Sequence, residues 1–134
     1  MKVLVDTCIW SCVLRRTKKQ NTAVDKELQQ LIQDHRVEII GGIRQEILSG
    51  LRESKQFNKL KDHLSSFPDI ELSSEDYVTA ARFYNICRSN GIQGSNTDYL
   101  ICAVAVNSKF SIYTTDKDFT LFAKYLPIEL HDAR

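Results

Sequence analysis

The sequence predicts an α/β fold in which a central parallel sheet is flanked by helices. Apolar, β-branched runs alternate with segments of helical periodicity, the order from which a parallel sheet with right-handed crossovers follows. Two of those runs, Lys2-Val3-Leu4-Val5-Asp6-Thr7 and Phe110-Ser111-Ile112-Tyr113-Thr114-Thr115-Asp116, end abruptly on a carboxylate. The 134 residues, 43% hydrophobic and 26% charged, suit one globular domain over 1–134, without repeats or low-complexity stretches. A chain of this size buries enough surface to fold without a disulfide or structural metal, so any metal is expected to be catalytic.

The first run reads as a buried central strand that delivers Asp6 to the sheet edge, where ligands of open parallel sheets bind. The alternative is that Asp6 caps the next helix. Ile9, Cys12 and Val13 give that helix its apolar face, with Trp10 as a core anchor. Arg15-Arg16-Thr17-Lys18-Lys19, the densest basic run, reads as a solvated linker or as a contact for phosphate groups. Thr22 with Asp25 opens a helix carrying Val24, Leu28, Leu31 and Ile32.

Val37 to Ile40 is a short strand closed by Gly41-Gly42, and Ile43, Ile47, Leu48 and Leu51 continue as a helix. Glu46 falls on or beside that apolar row, where a carboxylate needs either metal or an ion pair with Arg44 or Arg52. Phe57, Leu60, Leu64 and Phe67 mark a helix stopped by Pro68, and Ile70-Glu71-Leu72 is a short strand. Ser73 and Asp76 start the next helix, whose Tyr77, Ala81, Tyr84 and Cys87 read as core rather than as rings for base stacking. Leu100 to Val106 contains no polar residue, so its helix is buried on most sides and Asp98 is held in the first turn, where the helix dipole favours the charged form. Asp98 could serve there as a dipole partner alone. After Asp116, Phe119, Phe122, Tyr125 and Leu126 face inward, and Ile128-Glu129-Leu130 closes the sheet as an edge strand.

Cys8, Cys12, Cys87 and Cys102 lack the spacing of a zinc set and read as buried free thiols; His35, His63 and His131 read as surface residues. The formal net charge of +1 excludes a broad basic face for long duplex DNA. No signal-peptide pattern and no membrane-length apolar stretch is visible, and a cytoplasmic location is expected.

Four acids, Asp6, Glu46, Asp98 and Asp116, thus fall at strand ends or helix starts. Converging without lysine partners they would repel, so the cluster makes sense around hard divalent cations, one or two Mg²⁺ or Mn²⁺ ions, and the chemistry is phosphodiester hydrolysis. Along its whole length the chain resembles the PIN-domain nucleases, and within them the VapC toxins of toxin-antitoxin pairs. The resemblance lies in Val5-Asp6-Thr7 with Ile9-Trp10, in Glu46, in Asp98 before Leu100-Ile101-Cys102-Ala103, and in Thr114 to Phe119. It implies a PIN-like three-layer α/β/α fold, metal-dependent endoribonuclease activity on an RNA such as tRNA or rRNA, a VapB-like antitoxin as partner, and a homodimer. It also implies that Asp6, Asp98 and Asp116 hold the metal, that Glu46 holds it or orients the water, and that Thr7 and Thr114 support the carboxylates. Asp118, one residue outside the family's usual position, supports the site or only caps the last helix. Cys102 stands where the family often has a second alanine.

Rival readings fit less well. A haloacid-dehalogenase-type phosphatase needs a second acid at position 8, which is Cys, and a phospho-acceptor receiver needs an acid where Gly41-Gly42 stands. A catalytically silent PIN domain that binds RNA or protein is the non-enzymatic alternative. An antitoxin helix could dock on apolar rows around Val24 to Leu31 and Leu60 to Leu64, which read equally well as core.

Overall fold

Val3, Leu4 and Val5 are fully buried and form β1 (Val3–Val5), the middle strand of the sheet. The computed structural model describes residues 1–14 and 22–132. β1 pairs in parallel with β2 (Val37–Glu38) through Val3↔Val37 and Leu4↔Glu38. On its other edge it pairs in parallel with β3 (Ser111–Tyr113) through Val3↔Ser111, Leu4↔Ile112 and Val5↔Tyr113. The order is therefore β2-β1-β3. A strand covered on both faces has no use for alternating polar residues, which is why β1 reads as a continuous apolar run.

The two outer strands predicted at 70–72 and 128–130 are reduced to single parallel bridges, Ile39↔Asp69 and Ile112↔Leu130. Each segment is three residues long, follows a turn at Pro68 or Pro127, and carries an exposed central glutamate, so pairing ends after one step.

The helices are α1 (Thr7–Leu14), α2 (Ala23–Gln33), α3 (Gly41–Leu48), α4 (Ser54–Leu64), α5 (Ser74–Ser89), α6 (Asn96–Ser108) and α7 (Asp118–Phe122). α1 packs on α2 and α3, and α3 on α4, while α5 and α6 form a second, tightly packed pair with α6 against β3. The result is the expected helix-flanked parallel sheet. Trp10 is 2% exposed, donates from Nε1 to the Val5 carbonyl at 3.2 Å and meets Phe67 edge-on. Its indole thereby ties α1 to the end of β1. Leu28, Leu31, Leu60 and Leu64 are buried, so the candidate antitoxin rows are core.

Helical spacing misplaced several side chains. Tyr77 and Tyr125 are 56% and 45% exposed rather than core, because each sits on the outer flank of its helix. Cys87 and Cys102 are buried as expected, but Cys8 and Cys12 are only half-buried, Cys8 because it borders an open cavity. His131 is not a surface residue: its Nε2 lies 2.5 Å from Glu27 Oε2, and the two side chains are 10% and 5% exposed. That pair fastens the segment after α7 to α2.

The loop before α6 is held tightly. A Cβ on Gly94 would stand 2.7 Å from Phe122 Cζ and 2.9 Å from the Tyr99 ring and hydroxyl, and both aromatics are buried. Gly94→Ala is therefore expected to lose about 1–3 kcal/mol of stability in a urea titration. An unchanged midpoint would show that the loop yields freely.

Candidate active site

Asp6 leaves β1 with its backbone still in the ladder, its N-H donating to Tyr113 O at 2.9 Å. Its carbonyl already accepts from Ile9 and Trp10 in α1, so one residue ends the strand and opens the helix. The side chain is 5% exposed. Oδ1 accepts from Thr7 N at 2.8 Å, and Oδ2 accepts from Thr114 Oγ1 at 2.7 Å and from Cys8 Sγ at 3.4 Å. Burial nevertheless raises its pKa above the ordinary carboxylate value: the three donors offset only part of the desolvation, and the charge on Asp116 adds to it.

Asp98 sits in the first turn of α6 and makes a reciprocal cap with Ser95. Asp98 N donates to Ser95 Oγ and Ser95 N donates to Asp98 Oδ2, each at 3.1 Å. The capping role is therefore real, and it occupies one carboxylate oxygen. The Asp98 pKa is also raised, chiefly by burial and further by the charges on Asp6 and Asp116. The mutual repulsion shows that strands β1 and β3 and helix α6 bring three acids into one electrostatic neighbourhood.

Asp116 lies beyond β3. Its N-H donates to Thr114 Oγ1 at 3.0 Å, and its Oδ1 accepts from Asp118 N at 2.9 Å. Thr114 is thus a relay, donating its hydroxyl to Asp6 while accepting from the Asp116 backbone. Asp118 begins α7 and serves through its backbone; its side chain is exposed.

Glu46 differs from the expectation. Ile43 and Ile47 form the inward row of α3, and Glu46 is exposed at the rim, where Oε1 accepts from Thr7 Oγ1 at 2.6 Å. It has no ion pair with Arg44, which turns instead to Asp69 at 2.9 Å and to the carbonyls of Leu64 and Phe67. The alternative link to Arg52 is also absent among the described residues.

All four acids line one cavity of about 470 Å³, together with Thr7, Cys8, Ser11 and Ser49. Sequence reasoning missed Cys8, Ser11 and Ser49 as site residues. Helical spacing could have found two of them, since Ser11 follows Thr7 by four residues and Ser49 follows Glu46 by three. Cys8 Sγ also approaches the hydroxyls of Thr114 and Thr115 at 3.4 Å. The basic residues Arg15, Arg16, Lys18 and Lys19 lie outside the described residues.

Among the described residues no three Asp, Glu, His or Cys side chains already form a coordination set. Each carboxylate is instead held by its own hydrogen-bond donor, and none of the four pairs with Lys or Arg among the described residues. Hard oxygen donors with unneutralised charge fit Mg²⁺ or Mn²⁺.

The same architecture occurs in solved structures. The chain aligns over 98% of its length with 98% of a chain in the complex of VapBC2 from Rickettsia felis bound to a DNA fragment from their promoter, at TM-score 0.79 and 17% identity. It aligns over 98% with 97% of a chain of FitAcB from Neisseria gonorrhoeae, at TM-score 0.77 and 18% identity. With VapBC-1 from nontypeable Haemophilus influenzae it aligns over 98% of both chains, at TM-score 0.74 and 12% identity. At these identities the likeness is one of fold. Among curated protein sequences nothing matches the chain. The PIN domain family model matches residues 3–125, nearly the whole chain, and the protein therefore belongs to the PIN domain family.

Proposed function

We propose that the protein is a metal-dependent endoribonuclease and the toxin of a VapBC-type pair, with 1–134 forming a single PIN domain. The observation that carries the reading is the single cavity lined by Asp6, Glu46, Asp98 and Asp116, with no basic partner for any of them among the described residues. Toxin-antitoxin complexes among the structural relatives support a VapB-like antitoxin as partner. The reading includes a homodimer working in the cytoplasm on tRNA or rRNA; no described helix is long and apolar enough to cross a membrane.

Asp6, Asp98, Asp116 and Glu46 would hold one or two Mg²⁺ or Mn²⁺ ions. When bound, such an ion neutralises charge on the phosphate and makes water more acidic. Thr114 fixes the Asp6 carboxylate and Thr7 fixes Oε1 of Glu46. That leaves Glu46 Oε2 at the open rim to hold the ion or, where it does not, to orient the attacking water and accept its proton. The water oxygen bonds to phosphorus as the bond from phosphorus to the 3′ oxygen breaks, and the 3′ oxygen takes a proton from solvent and leaves as a hydroxyl.

The test is incubation of purified protein with total tRNA and rRNA in Mg²⁺, Mn²⁺ or EDTA. A discrete cut that EDTA suppresses supports the nuclease. Silence from folded protein free of antitoxin supports the catalytically silent binding module. Neutralising Arg15, Arg16, Lys18 and Lys19 is expected to weaken RNA binding and to lower the salt slope by about 0.7 for each RNA phosphate that is no longer neutralised. An unchanged slope would return the run to a linker.

A further inference from the structure

A second pocket, of about 410 Å³, lies between α5 and α6, and its walls include the rings of Tyr77 and Tyr84 and the side chains of Asn85, Asn96, Thr97 and Leu100. Its volume is in the range of small-molecule sites. Tyr77 is 56% exposed, so its ring contributes to this wall rather than to the core. Tyr84 is half-buried and fixed: it meets Tyr99 edge-on at 5.5 Å, carries Arg88 over its ring at 5.8 Å, and accepts at its hydroxyl from Arg88 Nη1 at 3.1 Å. The side-chain amides of Asn85 and Asn96 make no hydrogen bond among the described residues. Asn96 and Thr97 immediately precede Asp98, so the first turn of α6 separates this pocket from the carboxylate cavity.

We infer that this pocket seats one nucleobase of the RNA whose scissile phosphate lies among the carboxylates, and that it thereby selects the bond cut. The inference rests on the nuclease reading. An exposed ring offers a π face to any base, and a second ring held by Arg88 gives the stack a rigid edge. Each asparagine amide has both donor and acceptor groups, which suit the hydrogen-bonding edge of an unpaired base. Arg88 places a positive charge where the strand's next phosphate can pass. An apolar helix would leave both amides covered without partners, at a desolvation cost.

NMR titration of the intact protein with AMP, GMP, CMP and UMP in EDTA reads the pocket without requiring turnover. Saturable shifts of the Tyr77 ring and of the Asn85 and Asn96 amides are expected, larger for one base than for the others. Tyr77→Phe should keep this binding, and Tyr77→Ala should weaken it about tenfold, the scale of removing one ring from beneath a stacked base. In cleavage assays Tyr77→Ala should raise KM about tenfold and move the preferred bond. No shift with any nucleotide, in protein that cleaves RNA, overturns the subsite and leaves the nuclease standing. Base-selective shifts in protein that never cleaves RNA support the subsite and count against the nuclease. Shifts of the same signals that depend on protein concentration alone, with a dimer mass in sedimentation, assign the face to self-association and overturn the subsite.

Discussion

Asp98→Asn is expected to lose at least about two orders of magnitude of RNA cleavage while unfolding at nearly the wild-type denaturant concentration. Asparagine keeps an oxygen that can accept from Ser95 N, and its own N-H still reaches Ser95 Oγ, so the cap on α6 survives. Only the charge is lost. Its removal also relieves the repulsion from Asp6 and Asp116, which favours the fold. Asp116→Asn is expected to be comparably inactive. Asp6→Asn should be inactive as well, but it is the less clean experiment. Asp6 is buried and receives three donors, and an amide in its place would turn N-H groups toward one of them. Cleavage assays beside urea titrations separate the two effects; wild-type cleavage by Asp98→Asn would remove that residue from the site.

The second large effect is linkage between metal, protons and stability. Asp6 and Asp98 have raised pKa values in the native state, so between the ordinary value of 3.8 and those raised values the folded protein binds more protons than the unfolded chain. Their contribution in EDTA is therefore unfavourable above that window. It grows as pH rises from 3.8 through the raised values and then levels off. Mg²⁺ or Mn²⁺ should reverse it by binding only the native, ionised cluster, adding about 2.7 kcal/mol at a hundredfold excess over Kd. Thermal melts at neutral pH, with and without metal, are expected to show this gain in wild type and its loss in Asp98→Asn. Equal melting temperatures with EDTA and with saturating metal would count against a metal centre.

The parallel sheet and the positions of Asp6 and Asp116 were legible because a strand buried on both faces must be apolar, and its first acid marks where it leaves the core. Asp98 was legible for a related reason, standing in the first turn of a helix whose next turns carry no polar face. Glu46 was harder. Three- and four-residue spacing groups residues on a helix but leaves about 100° of rotation open between neighbours, enough to confuse an inward side chain with one at the rim. The same ambiguity placed Tyr77 and Tyr125 in the core. His131 read as exposed because its buried partner, Glu27, is distant in sequence. Cys8 was hidden by its type: a thiol next to a strand end reads as packing, and only the fold shows Thr114 and Thr115 beside it. The two outer strands were overread because a short apolar segment carries no information about how many ladder bonds its neighbour can offer.

The hydrogen bond from Thr114 to Asp6 joins residues 108 positions apart, and it depends on β3 docking beside β1. Synthesis proceeds from the N-terminus, and pairings between distant strands form late. While the chain is being made, β1 can find β2, but its other edge stays open, Asp6 has no hydroxyl donor and Asp116 does not yet exist. If the protein cleaves RNA, as proposed, it is itself translated from RNA on a ribosome built of RNA. On the proposed nuclease reading, placing Asp6 at the end of β1 and Asp116 beyond β3 leaves the cutting site incomplete, and the nascent chain harmless, until residue 116 has been made and β3 has docked.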